Sequence, residues 1–184
     1  MRKTVFLDRD GVINVPAAEH DYIKSWAEFA FLPGVPAAIR ALNEAGYLVL
    51  VVTNQRGVAR GLMSLAAVDE IHRRMCQALE EIGARIDGIY VCPHEAGRCS
   101  CRKPDIGLFL QAERDFAIDK ADSWMVGDSG SDAAAGARYG VRAIQTTDLP
   151  AAVRTILEAS PRSCKLRSPQ RENNVHVRNE GEIL

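Results

Sequence analysis

Tyr47 to Val52 is an uninterrupted apolar run. A strand with one wet face alternates apolar and polar side chains, so a run without alternation fits a strand covered on both faces, as in a parallel sheet flanked by helices. Shorter strand-like runs recur at Val5 to Leu7, Gly88 to Cys92 and Ser123 to Val126, and Val141 to Gln145 reads as a fifth strand that includes Arg142 and Gln145. Helical patterns lie between them. Pro36 opens a helix with Ile39, Leu42 and Ala45 at helical spacing and Gly46 to close it. Ser64 can cap a helix from Leu65 to about Ile82 that stops at Gly83, and Pro104-Asp105 begin one through Phe116. An alanine-rich helix runs from about Asp132 to Tyr139 and stops at Gly140, and a last one spans Pro150 to Ala159. Strands and helices alternating at these lengths predict right-handed βαβ units. The fold class is therefore α/β, a doubly wound, Rossmann-like parallel sheet.

In such sheets ligands sit outside the carboxyl ends of the strands. Four polar clusters follow strands and should share that edge: Asp8 and Asp10, Thr53 and Asn54, Cys92 with its loop, and Gly127-Asp128. Asp8 and Asp10 are two residues apart, so on extended backbone their carboxylates leave on the same side and call for a cation. A turn-solvating or helix-capping role is the competing reading for such acids. At this edge a carboxylate can attack phosphorus, with a divalent cation offsetting the charge repulsion. Lys103 and the Thr53 hydroxyl are suitable donors to a phosphoryl group. Asp128 adds a hard oxygen ligand of the kind that suits Mg2+.

At 184 residues the chain reads as one domain over residues 1 to 160. Residues 161 to 184 show no apolar period and are expected to form an extended or mobile tail. A formal net charge of -1 with interspersed signs argues against a nucleic-acid face. No apolar stretch is long enough to span a membrane, and the N-terminus carries no signal-like segment, so a cytoplasmic protein is expected; a monomer is the expected state, with an oligomer as the alternative. The connection over residues 14 to 33 is unusually long, as functional loops often are, while its Trp26, Phe29 and Phe31 are expected to plug one end of the core.

A second constellation lies in Cys92-Pro93-His94-Glu95-Ala96-Gly97-Arg98-Cys99-Ser100-Cys101. Cys92, His94, Cys99 and Cys101 match the three-thiol, one-imidazole set of a closed structural zinc site, against the alternative of free buried thiols. Four protein ligands leave no open position for catalysis. Zinc would stiffen residues 92 to 101 and aim Arg102 and Lys103 at a phosphate. Cys76 reads as helix core and Cys164 as part of the tail.

Phe6-Leu7-Asp8-Arg9-Asp10-Gly11, Thr53-Asn54, Lys103-Pro104 and Gly127-Asp128, in that order, resemble the four signature motifs of the haloacid dehalogenase superfamily phosphatases. The resemblance implies that Asp8 is a nucleophile forming an aspartyl-phosphate and that Asp10 is the general acid and base. It implies that Thr53 and Lys103 steady the phosphoryl group, and that Mg2+ sits on Asp8, the Asp10 carbonyl and Asp128. The cysteine loop leading into Arg102-Lys103-Pro104 is similar to the branch of D-glycero-D-manno-heptose 1,7-bisphosphate 7-phosphatases and histidinol-phosphate phosphatases, small cytoplasmic enzymes without a large cap domain. Thr53 to Gly61, ending Gly-x-Ala-Arg-Gly, resembles the heptose type, with a phosphorylated sugar as the implied substrate and histidinol phosphate as the alternative. Glu19, His20, Asp21, Tyr22, Asn54, Gln55, Arg56 and Arg102 would then contact substrate. Ser129 stands where heptose enzymes often carry lysine, which leaves Arg56 as either a ligand for a second phosphate or a solvated loop arginine. A receiver-type signalling domain also keeps a phosphorylatable aspartate, a threonine and a lysine. Asp10, the zinc loop and the motif order argue against it.

Overall fold

The computed structural model describes residues 1–19 and 21–160, so His20 and the expected tail, with Cys164, lie outside the described residues. Five parallel strands form one sheet: β1 (Thr4–Leu7), β2 (Leu48–Asn54), β3 (Gly88–Cys92), β4 (Trp124–Gly127) and β5 (Arg142–Gln145). Their spatial order is β3-β2-β1-β4-β5. The central strand is thus β1, with Leu7 in register with Val51 on one side and Val126 on the other. The order reverses at β1, which opens the crevice where ligands bind in such sheets.

The helices are α1 (Val35–Glu44), α2 (Leu65–Glu80), α3 (Gly107–Asp115), α4 (Gly130–Tyr139) and α5 (Leu149–Ala159). Successive strand residues point to opposite faces, and the core divides accordingly. Val5, Leu7, Val49 and Val51 pack on α1, α2 and α5 through Ile39, Leu42, Ile71, Met75, Val153 and Ile156. Phe6, Leu50, Val52 and Met125 pack on α3 and α4 through Leu108, Phe109, Ala135 and Tyr139. This two-sided burial is the reason β1, β2 and β4 carry no polar alternation, whereas β5 at the sheet edge is largely exposed and includes Arg142 and Gln145. Trp26 and Phe29 stack at 4.9 Å, and Phe29 meets Phe31 edge-on at 5.1 Å, all against the first of these clusters. Cys76 packs partly buried against the same cluster.

Some expected boundaries shift. The helix expected from Pro104 begins at Gly107, because residues 102 to 106 turn back to place Lys103. Asp105 N–H bonds the Arg102 carbonyl at 2.8 Å and Gly107 N–H the Ser100 carbonyl at 3.0 Å. α2 ends at Glu80, short of Ile82, since Ala84 N–H returns to the Leu79 carbonyl at 2.9 Å over a left-handed Gly83. At its start the Ser64 hydroxyl accepts from Ala67 N–H as a cap. β2 continues through Thr53 to Asn54, which pairs with Cys92 of β3 and so carries the site residues on regular strand.

Phe6 is fully buried, 4.7 Å from the Phe109 ring and 5.7 Å from Tyr139, directly under the edge that bears Asp8. Phe6→Ala is expected to destabilise the fold by about 3–5 kcal/mol, measured by denaturant unfolding.

Candidate active site

Asp8 leaves the end of β1, where its N–H continues the sheet ladder to the Val126 carbonyl at 2.9 Å. Its Oδ1 accepts from Lys103 Nζ at 2.8 Å. The same ammonium donates to the Val52 carbonyl at 2.7 Å and lies 2.6 Å from Asp132 Oδ1. Asn54 fixes the lysine's backbone, accepting from Lys103 N–H at 3.1 Å and donating to its carbonyl at 3.2 Å. The carboxylates of Asp8, Asp128 and Asp132 lie within 4.8 Å of one another. Three acids thus face one buried ammonium.

Burial pushes Asp8 from 3.8 up to about 6; Lys103 opposes this and the Asp132 charge adds to it. Burial, then the Asp132 charge, also raises Asp128. Burial disfavours the charged form of Lys103, but Asp8 and Asp132 outweigh it and hold the ammonium protonated. The acids are therefore short of positive charge. Asp132 Oδ1 is buried, with the Lys103 ammonium 2.6 Å away as its partner. An oxygen-only cluster of three carboxylates that share one ammonium fits a hard divalent cation such as Mg2+. Two glycines let these acids approach. A Cβ on Gly11, where φ is +83°, would fall 2.2 Å from Asp128 Oδ2, and one on Gly127 would fall 2.1 Å from the Asp132 Cβ.

Asp10 turns away from this cluster. Its Oδ1 accepts from Arg9 Nη2 at 2.8 Å and Asn14 Nδ2 at 2.9 Å, and its Oδ2 from Arg9 Nη2 at 2.9 Å and Gln55 Nε2 at 2.8 Å. Burial raises its proton affinity, but the Arg9 charge and these hydrogen bonds outweigh it and hold the carboxyl below the usual range. Gln55 Nε2 also donates to Thr53 Oγ1 at 2.9 Å, which leaves the threonine's own proton free to donate. Burial first, then the Arg9 charge, takes His72 down to about 3 and keeps it neutral.

A cavity of about 200 Å3 is lined by Asp10, Pro16, Ala17, Asp21, Tyr22, Ile23 and Asn54. It gathers three of the expected substrate residues, Asp21, Tyr22 and Asn54, beside the second acid. Gln55 is fully buried, its amide committed to Asp10, Thr53 and Arg9. Arg56 keeps 30% of its side chain exposed and is held in place: Nε donates to Tyr22 OH at 3.3 Å and Nη1 to Glu95 at 3.2 Å. Arg102 is partly buried, and its Nη1 has no hydrogen-bond partner. Glu19 is exposed and lies outside the residues that line this cavity.

The cysteine loop closes on itself. Cys92 Sγ is 3.8 Å from His94 Nδ1 and 3.5 Å from Cys99 Sγ, and Cys101 Sγ is 3.3 Å from His94 Nδ1 and 3.1 Å from Cys99 Sγ. Zinc–sulfur bonds of about 2.3 Å in a tetrahedron imply edges of about 3.8 Å, so the four donors need only a small expansion to hold the ion. The loop is tied to the strand end by Gln55 N–H to the Cys92 carbonyl at 2.8 Å and Ala59 N–H to the Pro93 carbonyl at 3.1 Å. Sequence reasoning missed Asp132, Arg9, Asn14 and His72. For Asp132 a signal was present, its position four residues after Asp128 at the start of a helix.

A parallel sheet with acids after its central strand, a lysine delivered from the loop before α3, and further acids after β4 is the arrangement of a haloacid dehalogenase-like phosphatase. Residues 3–155 match the family model Polynucleotide kinase 3 phosphatase. The D-glycero-beta-D-manno-heptose-1,7-bisphosphate 7-phosphatase of Haemophilus ducreyi is 42% identical over 149 residues, 77% of this chain and 80% of the relative. That of Vibrio cholerae is 42% identical over 159 residues, 81% of this chain and 84% of the relative. The crystal structure of D,D-heptose 1,7-bisphosphate phosphatase from B. bronchiseptica, complexed with magnesium and phosphate, superposes with a TM-score of 0.74 at 33% identity, covering 86% of this chain and 99% of that one. The chain belongs to the D-glycero-beta-D-manno-heptose-1,7-bisphosphate 7-phosphatase family.

The raised Asp8 has a stability consequence. A carboxyl whose folded pKa lies above its unfolded value binds more protons in the native state, so its contribution falls as pH rises from about 4 to about 6 and stays lost above that. Asp8→Asn removes this loss. The metal-free variant is expected to exceed the wild type in stability at pH 7 by about 1–3 kcal/mol, with the difference shrinking towards pH 4, in urea titrations at the two pH values.

Proposed function

We propose that this chain removes the C7 phosphate from D-glycero-beta-D-manno-heptose 1,7-bisphosphate through an aspartyl-phosphate on Asp8. The observation that carries the reading is the Lys103 ammonium shared by Asp8 and Asp132, 2.8 and 2.6 Å away, in a chain whose heptose-phosphatase relatives are 42% identical. Asp8, Asp128 and Asp132 would hold Mg2+, with the Asp10 carbonyl as the family resemblance implies. Bound there, the ion neutralises phosphate oxygens and orients the phosphorus for in-line attack. Asp8 then displaces the sugar oxygen, and the Lys103 N–H that donated to Asp8 donates instead to a phosphoryl oxygen, the ammonium keeping its proton. Thr53, accepting from Gln55, donates its own proton to the same group.

Asp10 protonates the departing alcohol and takes a proton from the water that hydrolyses the intermediate. In the resting site three donors keep it ionised. An incoming phosphate brings negative charge beside it, which raises its proton affinity in the direction a general acid needs. Asp21, Tyr22 and Asn54, with Glu19, His20 and Arg102, are the residues we assign to the sugar and its second phosphate. Gln55 we assign to holding Asp10 and Thr53, because it is fully buried, and Arg56 to holding the cavity wall through Tyr22. A small sugar rather than a polynucleotide end is favoured by the net charge of -1 and by a cavity of only about 200 Å3.

Cys92, His94, Cys99 and Cys101 we assign to a structural zinc ion, in a reducing compartment such as the cytoplasm, with the enzyme acting as a monomer. Among the described residues no helix is long and apolar enough to cross a membrane.

Phosphate release with Mg2+ from the alpha and beta anomers, beside histidinol phosphate, tests the substrate. The beta anomer should be turned over fastest, and a preference for histidinol phosphate refutes the assignment. Asp10→Asn should fold normally and lose about 100-fold or more in kcat. Cys99→Ser should lower metal content from about one zinc per chain and reduce the melting temperature, read by elemental analysis and calorimetry.

A further inference from the structure

His72 stands on the buried face of α2, where the other buried residues are Val68, Ile71, Met75 and Leu79. A polar ring among these side chains needs a partner, and it has one: Nε2 lies 3.3 Å from Arg9 Nη1. Arg9 is itself fully buried although it sits between the two acids of the site. A guanidinium has only donors, so Nε2 must be the acceptor and the ring proton must reside on Nδ1. The other edge of Arg9 is committed to Asp10, with Nη2 at 2.8 and 2.9 Å from the two oxygens and Nε at 3.3 Å from Oδ1.

The guanidinium is planar and rigid, so an acceptor that fixes one end fixes the direction of the other. Arg9 can meet Asp10 in this way only if Nη1 finds an acceptor inside the protein, and His72 supplies it from a helix that contributes nothing else to the site. His72 is absent from the residues that line the cavity and from the carboxylate cluster. We propose that His72 is a positioning residue for Asp10, acting through Arg9: it orients the guanidinium that sets the rotamer of the catalytic acid. The proposal rests on the reading of Asp10 as the proton donor and acceptor.

The test compares His72→Leu, His72→Gln, Asp10→Asn and the double variant Asp10→Asn/His72→Leu in steady-state kinetics with the heptose bisphosphate and Mg2+, each checked for folding by thermal unfolding. His72→Leu should lower kcat about 10-fold, a fraction of what the acid itself contributes, while KM stays within about 2-fold. His72→Gln, whose amide oxygen can accept from Nη1, should restore kcat to within about 3-fold of the wild type. In the Asp10→Asn background His72→Leu should cause no further loss, since residues acting as one unit are not additive. If His72→Leu does not fold, His72→Met, which fills the space with only a weak acceptor, takes its place.

Unchanged kcat in His72→Leu, failure of glutamine to rescue, or a full further loss in the Asp10→Asn background each overturns the proposal. Near-normal turnover in Asp10→Asn overturns the acid and base reading and this proposal with it. A slow Asp10→Asn beside an unaffected His72→Leu overturns the role of His72 alone.

Discussion

The Lys103 ammonium is the interaction on which the site depends. It sits almost fully buried against Asp8, Asp132 and the Val52 carbonyl, where an isolated charge would be strongly disfavoured. Two anionic partners reverse that preference. In doing so the lysine draws together strand ends that are far apart in sequence: β1 through Asp8, β2 through Val52 and Asn54, and α4 through Asp132. The loop that carries it forgoes the first helical turn predicted from Pro104, because its backbone is given over to the Asn54 amide.

One ammonium does not balance three acids. The remaining repulsion makes the cluster a cost to the metal-free fold and a site for a divalent cation. It is an instance of stability and activity being in opposition at the same residues. Asp10 is handled differently. It lies beside the cluster but is given its own cation, Arg9, and two amides, so the two acids of one motif acquire opposite proton affinities from their surroundings.

Most of the architecture was legible because it rests on periodicity. The strand runs and the strand-end rule gathered Asp8, Asp10, Thr53 and Asp128 at one edge, the motif resemblance added Lys103, and the cysteine spacing picked out the four soft donors. What was not legible depends on direction and depth. Nothing in the sequence marks Arg9, flanked by two acids, as buried, yet the Asp10 and His72 contacts draw it fully inside. Gln55 reads as a loop residue exposed to substrate, but its amide is consumed by Asp10 and Thr53. Asp132 was passed over because it opens a helix instead of ending a strand, although its spacing from Asp128 is one helical turn. Arg56 left two readings open, and the structure adds contacts to Tyr22 and Glu95 that neither reading contained.

The cavity has an uneven authorship. Asp10 and Asn54 come from strand ends that also serve the phosphoryl chemistry, whereas Pro16, Ala17, Asp21, Tyr22 and Ile23 all come from one contiguous stretch of the connection between β1 and α1. Most of the cavity wall and the groups around Lys103 are therefore written on separable pieces of chain. A single exchange of residues 16 to 23 between members of this fold could retarget the enzyme to another phosphorylated metabolite while the lysine, the acids and the zinc loop remain as they are.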